Sequence, residues 1–130
     1  MSAIMEKTEV QAIPARIDVV DHADRAWNGV LTLVMRTGDW RKLQMDHDGW
    51  LSARQIVLAA FVDGKPVAHL SFHIEPGGRS SVDARLDTYG IDAAFADRGI
   101  EHQLWVAAVA RARDLRCMRL IGFEIASPWL

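Results

Sequence analysis

Residues 67–75 alternate strictly, with Leu70, Phe72 and Ile74 on one face of a strand and His69, Ser71, His73 and Glu75 on the other. After Pro76-Gly77-Gly78, Val82, Ala84 and Leu86 alternate with Asp83, Arg85 and Asp87, so a second strand folds back antiparallel to the first. With the apolar faces matched, His69 is predicted near Asp87, Ser71 near Arg85 and His73 near Asp83. A carboxylate beside an imidazole fixes its tautomer and favours proton uptake. His73 with Asp83, helped by Glu75, is therefore a candidate general base. His69 and His73 are four positions apart, about 13 Å along a strand, too far to share one ion, so no metal site is predicted. A solvated or partner-covered sheet face is the alternative use of the same residues.

A second constellation follows. The run Ile91-Asp92-Ala93-Ala94-Phe95-Ala96-Asp97-Arg98-Gly99-Ile100-Glu101-His102-Gln103-Leu104 passes from a strand to a helix. A helix start collects unpaired N–H groups and the positive end of the dipole, which together suit an anion. The register resembles the phosphate-cradling turn of the GNAT acyltransferases: Arg or Gln, two free positions, Gly, one free position, then Gly or Ala, with Leu shortly after. That series falls on Ala96, Asp97, Arg98, Gly99, Ile100, Glu101 and Leu104, and of the three signature positions Gly99 matches. Ala112-Arg113-Asp114-Leu115 resembles the usual end of the helix.

The resemblance spans residues 15–125 and implies acetyl-CoA or another acyl-CoA as acyl donor. Its pyrophosphate would sit among Ile91, Ala93, Arg98, Gly99, Ile100, Glu101 and His102. The implied reaction is N-acyl transfer by direct attack of an amine on the thioester, with a carboxylate base in the central sheet at Glu75 or Asp87. Glu101 places a negative charge where the anion would lie, and its other reading is a helix-dipole partner. That motivates a second expectation, a non-catalytic GNAT-fold interaction or regulatory protein that has lost acyl-CoA binding. Arg98 offers a replacement phosphate contact.

The elements that must position these residues follow from periodicity. Residues 1–14 read as a flexible leader and 15–130 as a single domain, opening with a strand over 16–20. Asp21 or Asp24 is expected to cap a helix whose stripe is Ala26, Trp27, Val30, Leu31, Val34 and Met35, with Gly38 as its stop. A weaker helical segment runs from Asp39 towards His47. A strand from Gln55 turns at Asp63-Gly64, and the three-stranded meander continues to about Ala94. A helix over 99–115 and a final strand over 118–125 complete the order β-α-α-β-β-β-α-β. The predicted class is α+β, three-layered, with a mostly antiparallel sheet. The resembling family continues with a helix and two strands, and often a general-acid tyrosine, for which this sequence has no counterpart after Ser127-Pro128-Trp129-Leu130. Tyr89 is expected to pack, as are Trp27 and Trp105, whereas Trp40, Trp50 and Trp129 are surface candidates.

The 130 residues carry a net charge of -2, which provides no basic footprint for nucleic acid or an anionic membrane. The single Cys117 excludes an internal disulfide, reads as a buried inert thiol, and points to a reducing cytoplasm. No window suggests a membrane span or a secretion signal. The expected partners are a small-molecule or peptide amine, and a second copy or another protein paired along the edge of the last strand.

Overall fold

The computed structural model describes residues 13–123. The first strand, β1, is Arg16–Val20, followed by helix α1 (Trp27–Thr37) and a single 3-10 turn at Trp40–Lys42. Strands β2 (Gln55–Val62), β3 (Lys65–Pro76) and β4 (Val82–Ile91) form the meander. A 3-10 turn at Ala93–Phe95, helix α2 (Ile100–Asp114) and strand β5 (Cys117–Ile121) follow. The sheet order is β1-β2-β3-β4-β5, antiparallel through β4, with β5 parallel to β4. A parallel neighbour needs a crossover, and α2 supplies it. The class is α+β, as the sequence predicts. Among the described residues no helix is long and apolar enough to cross a membrane.

The two helices cover opposite faces, each over its own core. On one face Leu58, Leu70, Phe72 and Ala84 pack with Ile100, Leu104, Trp105 and Phe123. On the other, Val57, Ala59 and Phe61 pack with Trp27, Val30, Val34, Leu43 and Leu51. Complete burial of side chains of this size contributes about 1.5–3 kcal/mol each, so the sandwich holds both helices by their apolar stripes. In α1 the stripe is Trp27, Val30, Leu33 and Val34, while Met35 turns outward at 57% exposure.

Several local expectations change. Asp21 and Asp24 do not cap α1: each accepts a bond from the N–H two residues on, at Ala23 (2.8 Å) and Ala26 (3.1 Å), so both build turns ahead of the helix. The expected second helix reduces to the turn at Trp40–Lys42. There Asp39 accepts from the Arg41 N–H, and Asp46 accepts from those of Asp48 and Trp50, side-chain bonds that compete with helical ones. Strand β4 ends at Ile91 rather than Ala94, and β5 at Ile121 rather than residue 125; residues 124 and 125 lie outside the described residues.

The expected leader, residues 1–14, lies outside the described residues up to residue 12, and its last two residues are described. The Ile13 N–H donates to the Arg98 carbonyl (2.8 Å), Gln103 Nε2 donates to the Ile13 carbonyl (2.7 Å), and the Ala15 N–H donates to Gln103 Oε1 (3.1 Å). Gln103 thus straps the entry of the fold to the first turn of α2. The hairpin at Asp63-Gly64 forms as expected, with both residues in the left-handed region (φ 52° and 78°).

The register of β3 against β4 differs from the expected one. His69 faces Gly90, Ser71 faces Thr88, His73 faces Arg85 and Glu75 faces Asp83. Between Ser71↔Thr88 and Phe72↔Leu86 the residue Asp87 has no partner, which is a β-bulge. Alternation of apolar residues fixes only which face a side chain takes, so a bulge can slide the pairing without exposing the core.

Candidate active site

Two groups of residues converge on β4 from its two ends. At its C-terminal end, Asp92 accepts from the Ala94 N–H (3.1 Å) and pairs with Arg36 of α1 (3.3 Å), which holds the 3-10 turn against the sheet. Gly99 then adopts the left-handed conformation (φ 79°) as the residue that opens α2, and no side chain caps that helix. A residue with a Cβ is disfavoured there, so glycine supports the sharp strand-to-helix reversal. Ile100 is fully buried and anchors the start, and Ile91 packs into the same core. Ala93, Arg98 and His102 are exposed, and Glu101 is half-buried in the first turn. The N–H groups that begin an α-helix have no intrahelical acceptor, so the backbone at Gly99, Ile100 and Glu101 presents donors and a positive dipole end.

Strand β5 pairs with β4 only from Val82 to Arg85. Among the described residues the next part of β4, residues 86–91, has no partner on that side, and the 3-10 turn carries the chain from there to the start of α2. Tyr89 lies on this stretch with its ring 5.3 Å from Trp105. Burial, and then the charge of Glu101, push its hydroxyl up to about 12, so it remains protonated at any ordinary pH.

The second group sits at the bulge. His73 Nδ1 lies 2.8 Å from Asp87 Oδ1, and Nε2 lies 3.1 Å from Glu75 Oε1. Gln55 Nε2 donates to Asp87 Oδ2 (3.1 Å) and to the Phe72 carbonyl (2.8 Å), while its Oε1 accepts from the Gln44 N–H (2.6 Å). Arg85 grips Glu75 with Nε (3.0 and 3.1 Å) and Nη2 (2.9 Å). The Arg85 guanidinium accordingly lowers the Glu75 carboxyl below its usual range, whereas burial raises that of Asp87. Side-chain exposure separates the roles: Asp87, at 7%, is sealed behind the ring, while His73 (18%) and Glu75 (26%) remain reachable.

His73 and Glu75 are brought together as expected, but Asp83 is not the partner of His73. Asp83 is buried and receives Arg119 of β5 (Nη2 2.7 Å, Nε 3.2 Å), which lowers its carboxyl. Asp87 takes its place through the bulge. Gln55 and Arg85 escaped the sequence reading as members of the cluster; a lone amide opening the apolar run of β2 was the available signal.

His69 is fully buried elsewhere on the same face. Thr37 Oγ1 donates to the Leu33 carbonyl (2.7 Å), so it can only accept from His69 Nε2 (3.0 Å). Nδ1 is then the acceptor, taking the hydroxyl proton of Thr88 (3.3 Å), which itself accepts from Ser71 (2.6 Å). The chain requires a neutral ring, and burial pushes His69 down to about 4. Cys117 is half-buried, and burial raises its thiol, which disfavours the thiolate. Trp27 and Trp105 are buried and Trp40 and Trp50 are 46% and 51% exposed, as expected; Trp129 lies outside the described residues. Among the described residues no group of three or more His, Cys, Asp or Glu could hold a metal ion.

The sequence model of the Acetyltransferase (GNAT) family matches residues 20–128. Among solved structures, a ribosomal-protein-alanine N-acetyltransferase from Brucella melitensis biovar Abortus 2308 is similar with a TM-score of 0.67 at 16% identity, covering 84% of this chain and 79% of that one. An aminoglycoside acetyltransferase from an uncultured soil metagenomic sample gives a TM-score of 0.67 at 13% identity, covering 82% and 75%. Glucosamine-6-phosphate N-acetyltransferase from Arabidopsis thaliana gives 0.61 at 14% identity, covering 84% and 81%. No curated protein matches the chain.

Proposed function

The chain belongs to the GNAT acetyltransferase family, and from that membership we propose that it is an acyl-CoA-dependent N-acyltransferase acting on a small-molecule or peptide amine in a reducing cytoplasm. The observation that carries this reading is the uncapped start of α2 behind a left-handed Gly99, a short turn away from a stretch of β4 that no described strand pairs on the β5 side. The backbone there fits a pyrophosphate. Arg98 is exposed beside it and can add a bidentate contact, with Ile91, Ala93, Ile100 and His102 framing the turn. Glu101 in the first turn opposes an anion, as does Asp97 to a lesser extent, and it weakens binding without closing the backbone donors. Acyl-CoA supplies a thioester carbon for the amine to attack.

The bulge cluster supplies the proton chemistry. Asp87 holds the Nδ1–H of His73, and Gln55 holds Asp87, so Nε2 is the atom left to take the amine proton. Glu75, with both oxygens held by Arg85, lies 3.1 Å from Nε2 and is placed to stabilise the imidazolium that forms when Nε2 takes that proton. Asp83 is assigned to the Arg119 pair and not to proton transfer. Trp40 and Trp50 are suited to an apolar rim for the acceptor. We further propose that the edge of β5 pairs with a second copy or with another protein.

Calorimetry with acetyl-CoA and CoA tests the reading on the wild type and on Glu101→Gln and Glu101→Gly. Wild-type binding is expected, tightened about two- to fivefold in Glu101→Gln by removal of one charge from the first turn. Silence in the wild type with binding gained in the variants identifies a non-catalytic protein whose site Glu101 has shut. Silence in all three sinks the phosphate-cradle idea.

A further inference from the structure

Far from the turn, a cavity of about 250 Å³ opens where β1 ends and β2 begins, under the C-terminal half of α2. Its walls include Leu51 and Ile56 on the apolar side and Asp21, His22, Ser52 and Arg111 on the polar side. Arg111 lies 11 residues beyond Ile100, about 16 Å along the helix, which separates the cavity from the proposed phosphate turn. Two of the lining side chains have a buried nitrogen without a hydrogen-bond partner among the described residues: Arg111 Nε and His22 Nδ1. A buried guanidinium N–H that finds no acceptor is costly, and the His22 nitrogen beside it, which donates or accepts according to tautomer, leaves a second polar contact open to a ligand. Trp50 packs its ring 4.3 Å from that of His22 and fixes the imidazole against the wall.

We propose that this cavity binds a small carboxylic acid with a short apolar body. The guanidinium fork matches a carboxylate, His22 offers a second contact, and Leu51 and Ile56 accept the hydrocarbon. The volume falls below the ~300 Å³ at which drug-sized pockets begin, which limits the ligand to a few carbons. Asp21 is the opposing charge. Its Oδ1 is engaged by the Ala23 N–H, and among the described residues it makes no ion pair with Arg111. The cavity shares Gln55 with the bulge cluster, but binding there is read without turnover, so its test does not depend on acyl transfer.

The test is NMR of the Arg111 Nε–H and the His22 ring during titration with butyrate, inorganic phosphate and 1-butanol. Butyrate is expected to shift both resonances and 1-butanol neither. Arg111→Met should weaken butyrate by about tenfold or more, the loss of one charge-assisted bond. Asp21→Asn, which keeps the turn and removes the charge, should tighten it, and it serves as the decisive variant if Arg111→Met does not fold. The assignment is overturned if butyrate moves neither resonance, if phosphate binds and butyrate does not, if 1-butanol binds as well as butyrate, or if Asp21→Asn weakens binding.

Discussion

In the proposed reaction Asp87 orients His73 as the base, and it reaches His73 through the bulge that leaves it without a cross-strand partner. Asp87→Asn can still accept from Nδ1–H, or it can donate and leave the wrong tautomer. We expect it to lower kcat about a hundredfold with KM for the acyl donor unchanged, and His73→Gln to lower it at least as far, measured by steady-state release of free thiol. His69 makes a different prediction. Its folded value near 4 lies below the unfolded value of 6.5, so the unfolded chain binds the extra proton. The stability that its neutral form contributes is complete above pH 6.5 and is lost as pH falls towards 4. Between pH 7 and pH 5 this amounts to about 2 kcal/mol, and urea unfolding at the two values should show a difference that shrinks in His69→Gln. Gly99 and Glu101 were readable from sequence because a turn signature is local. The His73–Asp87 pair was not, because apolar alternation on β3 and β4 leaves a bulge unmarked.

At the scale of elements, β1, the Asp63-Gly64 hairpin and α2 were legible because each is written in a contiguous pattern: β-branched residues, a turn dipeptide, an apolar stripe. The segment after α1 misled, since its helical spacing gives way to turns built by Asp39 and Asp46 side chains. The tie between residues 13–15 and α2 was illegible for another reason: Gln103 and Ile13 are far apart in sequence, and a single amide carries the link. Gln103→Ala removes two side-chain bonds to the incoming backbone. It should lower stability by about 1–2 kcal/mol and raise hydrogen exchange selectively at Ala15 and the first turn of α2, as read by mass spectrometry.

At the scale of the molecule, the three-layer arrangement places catalytic candidates in mid-sheet and, among the described residues, leaves two strands, β1 and β5, at the edges. Met118 on β5 is 73% exposed. An edge with an exposed apolar side chain favours pairing, so light scattering should show a mass above the monomer's at high concentration. Arg119→Pro, which removes a ladder donor, is the wrong control because Arg119 also holds Asp83; Met118→Lys leaves that pair intact and should shift the mass downward. The class and order of elements were visible in the sequence because burial patterns repeat along each element, whereas which edges stay open depends on distant pairings.

The bond from the Ile13 N–H to the Arg98 carbonyl has a practical side. The polypeptide enters the fold at the lip of the turn proposed to receive the acyl donor. An affinity tag fused ahead of Met1 stands 12 residues before Ile13 in the sequence. A histidine-rich tag brings donors of its own to that lip, where it competes with or mimics ligand, so binding assays on this protein call for a tag at the other terminus or its removal by protease.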